Sequence, residues 1–166
     1  MKEVVKSSAE RARKMTEQKV TREEFLEQMQ ILHHGKEREL FFQTDILLNK
    51  ILRVHFQTHG EELLHLHRVF SEWKMETEEE LVWEERVIFP DLSDDQSDKQ
   101  ILTDRLSELV TRNEHMLELI EQVKAASNGF EIPEDVCPTY AETFDRMKEL
   151  AVDIRQRIEK EKSFLQ

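Results

Sequence analysis

Glu80 and Glu84 stand four residues apart on a stripe whose other members are nearly all apolar. Taken every third or fourth residue, the stretch reads Leu63, Leu66, Phe70, Trp73, Thr77, Glu80, Glu84 and Val87, the spacing of one helix face. Two carboxylates are therefore expected to point into a core. Leaving a buried carboxylate unanswered costs on the order of several kcal/mol. A metal ion, another cation, a proton or a hydrogen-bond donor has to meet the pair, unless the helix turns far enough for both to reach water.

Three further helices are needed to enclose that face. Thr21 followed by Glu24 forms a capping box, and a helix is expected from about Arg22 to Val54 with Phe25, Met29, Leu32, Leu40, Leu47 and Ile51 inward. His33 and His34 lie about 100° apart on it, and periodicity alone does not say which points further in. The segment His55 to Gly60 breaks the pattern, and the helix carrying Glu80 and Glu84 runs on to Phe89, where Pro90 is expected to stop it. An acidic loop, Asp91 to Lys99, leads to a third helix with Leu109, Asn113, Leu117, Ile120 and Val123 on one face, closed by Ser127, Asn128 and Gly129. A fourth follows Pro138, with Phe144, Met147, Leu150, Ile154, Arg157 or Ile158, and Glu161 inward. Four helices with short connections predict an all-α, antiparallel up-down-up-down bundle over residues 21–166. Residues 1–20 read as a charged extension or short helix.

Composition supports this. Only three Gly and three Pro occur in 166 residues, and 36% are charged, as expected for long helices with solvated outer faces. A net charge of -12 argues against nucleic acid and anionic membrane as partners. No apolar run approaches a membrane span, no signal-peptide core is present, and the single Cys137 has no internal disulfide partner. A cytoplasmic protein is the expectation.

In an antiparallel bundle, His34, Glu80, Glu84, Asn113, Arg157 and Glu161 fall at one level. Polar interior residues converging from four helices are how such bundles build metal sites. Around them, Ile31-Leu-His-His34, the histidine-rich run from Arg53 to Phe70, Glu84-Glu-Arg-Val-Ile-Phe-Pro90 and the segment from Asn128 to Tyr140 resemble the hemerythrin-like domain of the repair-of-iron-centres proteins. The resemblance spans about residues 33–166. It implies a four-helix bundle around a non-haem di-iron centre, bridged by two carboxylates, in a protein that counters nitric oxide and oxidative damage to iron-sulfur clusters.

Carried over by position, His34 matches the first helix's histidine, and Glu84 and Glu161 match the bridging carboxylates. Glu80 stands where the resemblance implies a histidine, and so does Arg157. In the third helix the ligand position falls on Asn113 in a gapless match, or on His115 with a two-residue shift; Asn113 is favoured because it lies on the apolar stripe. Arginine cannot ligate metal, and its charge repels a second ion. One divalent ion, iron or another, or a cation-free polar network is therefore expected ahead of an intact pair, with oxygen or nitric oxide as ligands if iron is held.

His55 lies 21 residues beyond His34, about 31 Å along a continuous helix, too far to share a centre. His59, His65 and His67 are expected to be solvated or capping residues at the far end. Cys137 is expected to pack rather than react, having no histidine beside it in sequence. There is no phosphate-binding glycine loop and no HExxH, so no hydrolase or transferase is indicated. The first twenty residues hold no cysteine, so a repair role dependent on that family's small N-terminal cysteine-bearing domain would have to work differently. The two functional expectations are a hemerythrin-like cation-binding protein with a substituted site, and a non-catalytic binding or scaffold bundle, with a protein partner or homodimer allowed.

Overall fold

In a computed structural model, which describes residues 20–165, the chain forms four helical rods. The first joins α1 (Arg22–Met29), a wide π turn (Gln30–His34) and α2 (Gly35–Val54). The second joins α3 (Phe56–Trp83), another π turn (Glu84–Ile88) and α4 (Phe89–Ser93). The third is α5 (Lys99–Ala126) and the fourth α6 (Pro138–Leu165). No strand occurs among the described residues. The first rod packs against the second and fourth, and the third against the same two. This is the expected all-α bundle. The proposed extension, residues 1–20, falls almost wholly outside the described residues.

The predicted capping box forms. Thr21 Oγ1 accepts from Glu24 N–H, and Glu24 returns the bond to Thr21 N–H at 2.9 Å. Asp98 caps α5 through Gln100 and Ile101. Beyond α5 the chain reverses through Asn128, Gly129 and Phe130, all at positive φ; of these, only glycine adopts such a φ without steric cost.

The two π turns shift the inward face, and both occur where polar residues turn into the core. At the first, Gly35 N–H bonds to Gln30 O, five residues back. The extra residue in that turn brings both His33 and His34 inside and leaves Ile31 and Leu32 exposed, correcting the inward placement of Leu32. At the second, Phe89 N–H bonds to Glu84 O, so Ile88 rather than Val87 continues the buried stripe. Pro90 does not stop the rod. It has no N–H to place, and it follows the widened turn at the start of α4.

Two apolar clusters flank the polar level. The larger, built around Phe70, Trp73, Met147 and Ile154, fills the bundle toward one end. The smaller packs Phe25, Leu26, Met29, Ile88, Phe89, Leu92 and Leu109 at the other.

Candidate metal centre and its substitutions

Between these clusters lies a layer of fully or almost fully buried polar side chains: His34, Glu37, Glu80, Glu84, Asn113, Arg157 and Glu161. The i,i+4 spacing places Glu80 above Glu84 on the second rod and Arg157 above Glu161 on the fourth. All the expected members except His115 are here. His115 is exposed, near Glu76 and Glu118 on the surface; as a metal ligand it is corrected to a surface residue. Asn113 points inward because α5 runs unbroken, with no insertion to rotate its face.

Arg157 organises the layer. Its guanidinium donates from Nε to Glu37 Oε1 at 3.0 Å, and from Nη1 to Glu84 Oε1 and to Glu161 Oε1, the latter at 3.1 Å. His34 is held by carboxylates at both nitrogens, Glu84 Oε2 at 2.9 Å and Glu85 Oε1 at 2.8 Å, and Arg38 braces Glu85 from the surface. Asn113 Nδ2 donates to Glu161 Oε2 at 2.8 Å. Arg112, stacked over the Trp83 ring, lies 3.4 Å from Glu80 Oε2.

These contacts divide the carboxyls into two kinds. Burial opposes ionisation of Glu84, yet Arg157 and His34 overcome it and hold its carboxyl below the ordinary range. Burial also opposes protonation of His34, but Glu84 and Glu85 prevail and raise it. At Glu80 and Glu161 burial wins, helped by the nearby Glu84 charge, and pushes both up to about 8. Burial likewise raises Glu37, against the pull of Arg157. At neutral pH the layer therefore sets Arg157 and a readily protonated His34 against an ionised Glu84, with Glu80 and Glu161 largely neutral.

Four buried atoms of the layer have no hydrogen-bond partner: Glu37 Oε2, Glu80 Oε1, Asn113 Oδ1 and Arg157 Nη2. Three are acceptors. Such atoms are uncommon in buried networks and mark where a cation or proton could be taken up.

Sequence reasoning missed Glu37, though it sits three residues beyond His34 and three before Leu40 on the inward row, a signal like that of Glu80. It also missed a second cluster. His33, Glu37 and Asp153 are buried, and each offers a ligand atom within 4.8 Å of the others. Among the described residues this is the one set of three His, Cys, Asp or Glu side chains so close.

The chain matches the family model of the hemerythrin HHE cation-binding domain over residues 7–165. It belongs to that family. No curated protein matches it. The family implies bound cations, and the central layer can be tested against that. Two ions do not fit: Glu80, Asn113 and Arg157 replace three implied histidines, and the guanidinium itself lies among Glu37, Glu84 and Glu161. Glu80 and Asn113 each present an unpaired buried oxygen, donor chemistry that suits one ion.

The remaining residues lie elsewhere. His59 pairs with Asp135 at 3.2 Å and, more loosely, with Glu62, near the far end, and His65 is exposed. Cys137 packs against the larger core cluster, as expected, and His55 Nε2 also lies 3.1 Å from its sulfur, with Tyr140 edge-on to the imidazole. The two are 82 residues apart, and no local pattern could have joined them. No helix among the described residues is long and apolar enough to cross a membrane.

Proposed function

We propose that this chain is a hemerythrin-family protein whose central layer takes a single divalent cation, with Arg157 standing permanently in the place of a second. The observation that carries this is the division of the layer. Arg157 satisfies oxygens of Glu37, Glu84 and Glu161, while Glu80 Oε1 and Asn113 Oδ1 remain unpaired. The donors for the ion are Glu80, Asn113 and Glu161, with Glu84 shared between it and Arg157. An oxygen-dominated set suits iron(II) or manganese(II) better than a soft ion. His34, engaged by two carboxylates, positions Glu84.

One ion beside an arginine cannot support chemistry shared across two irons. The resemblance to repair-of-iron-centres proteins therefore supports a role that needs one redox-active ion, such as binding nitric oxide or oxygen. The test is metal content and isothermal titration with manganese(II), comparing the parent with Glu80→Gln/Glu161→Gln. The expected difference is one ion per chain; equal binding by both proteins would overturn the reading.

A second reading is favoured by one observation, the complete burial of Arg157 among three carboxylate partners. A layer closed by its own cation can serve a binding or scaffold bundle without metal. It predicts that manganese(II) leaves the parent's melting temperature unmoved.

A further inference from the structure

His33, Glu37 and Asp153 sit between the first and fourth rods, beside the central layer. His33 Nδ1 and Asp153 Oδ2 are 2.9 Å apart. Two lysines complete the hydrogen bonding. Lys36 Nζ donates to Asp153 Oδ1 at 2.9 Å and lies 3.4 Å from Glu149, and Lys160 Nζ is 2.8 Å from His33 Nε2. Glu37 accepts from Arg157 at Oε1, but its Oε2, fully buried, has no partner.

The lysines differ from the groups they cap. His33, Glu37 and Asp153 are each at most 4% exposed, whereas the Lys36 side chain is 44% exposed and Lys160 is a surface residue. Either ammonium can swing into water at small cost, since its long stem carries it there without unpacking anything. A cleft of about 250 Å³ opens beside His33 and Lys160. The cleft brings solvent to the His33 side of the cluster.

We propose that His33, Glu37 and Asp153 form a second divalent-cation site, bordering the central layer at Glu37, whose place Lys36 and Lys160 hold when no ion is bound. One imidazole nitrogen and two carboxylate oxygens, with a remaining position open to solvent, is a donor set suited to zinc(II) or cobalt(II). An ion arriving between His33 Nδ1 and Asp153 takes the place of the Nδ1 proton, which moves to Nε2 and turns Lys160 away; it also displaces Lys36 from Asp153 and uses the Glu37 oxygen that nothing else takes. Glu37 also holds Arg157 of the central layer, but none of the three residues is a donor to the central ion, so variants at His33 and Asp153 test this site apart from the reading above.

The test is titration with cobalt(II), followed by visible absorption and calorimetry, of the parent, His33→Gln, Asp153→Asn and Glu161→Ala. One binding event with ligand-field bands is expected to vanish in His33→Gln and Asp153→Asn and to persist in Glu161→Ala. Lys160→Met removes a competing ammonium at the surface and should tighten that event about tenfold. This variant also carries the test if the buried substitutions fail to fold. The proposal is overturned if cobalt(II) binding survives in Asp153→Asn, if it is lost only in Glu161→Ala, or if Lys160→Met binds no more tightly than the parent.

Discussion

Arg157 donates from Nε to Glu37 Oε1 at 3.0 Å, joining the fourth rod to the first across 120 residues of chain with both side chains wholly buried. Arg157 also pairs with Glu84 and Glu161, so its loss would take the shared cation from three buried carboxyls. Removing one partner from a buried pair leaves the other charge unanswered, at a cost typically of about 3–5 kcal/mol.

Arg157→Leu should therefore destabilise the cation-free protein by about that amount, read as a lower urea midpoint in chelator. Manganese(II) should restore much of the loss by supplying the missing charge, while shifting the parent less. A variant that melts like the parent in chelator would mean that Arg157 does not hold the layer together.

The cation-free protein should lose stability as pH rises from about 5 to about 9. The folded-state values of Glu80 and Glu161, about 8, lie above the unfolded carboxyl value. Between the two, the native state binds more protons than the unfolded chain, so stability falls with rising pH. His34, also raised, acts in the same direction, its contribution being complete below its unfolded value and lost as pH passes the folded one. Urea midpoints in chelator at pH 6 and pH 9 check this, and Glu80→Gln/Glu161→Gln should flatten the dependence. Equal midpoints for the parent would contradict the assignment.

His115→Ala should leave metal content unchanged and stability within about 0.5 kcal/mol, because His115 is exposed and paired only with surface carboxylates. Glu161→Ala should remove the central ion. Parallel elemental analysis of the two variants separates the inward from the outward residue, and iron lost from His115→Ala would reverse their roles.

Glu80→His, Asn113→His and Arg157→His together replace the three departures from the donor set that the resemblance implies. In a His33→Gln background, which silences the neighbouring cluster, the triple variant should take up toward two irons in the central layer where its parent takes one. No gain over that parent would show that the layer is not a substituted two-ion centre.

The polar level was legible because helix periodicity is local. Glu80, Glu84, Asn113, Arg157 and Glu161 each interrupt an apolar row three or four residues from its neighbours, and that spacing fixes the face whatever the helix packs against. The bundle was legible for the same reason, since long amphipathic rows with few breakers leave little alternative to antiparallel rods. What tertiary structure alone decided lies where the backbone departs from regular helix or where contacts span the chain. The π turn at Gln30–His34 brought both adjacent histidines inside, which no regular helix would do, and the π turn at Glu84–Ile88 carried the second rod past Pro90. The pairing of Arg157 with Glu37 and Glu84, the meeting of His33 with Asp153 and that of His55 with Cys137 join residues 73 to 120 apart only once the rods have packed. Sequence periodicity assigns a side chain to a face. The partner that it meets there depends on the rotation and axial offset of the neighbouring rod, which are set by the packing of the whole core.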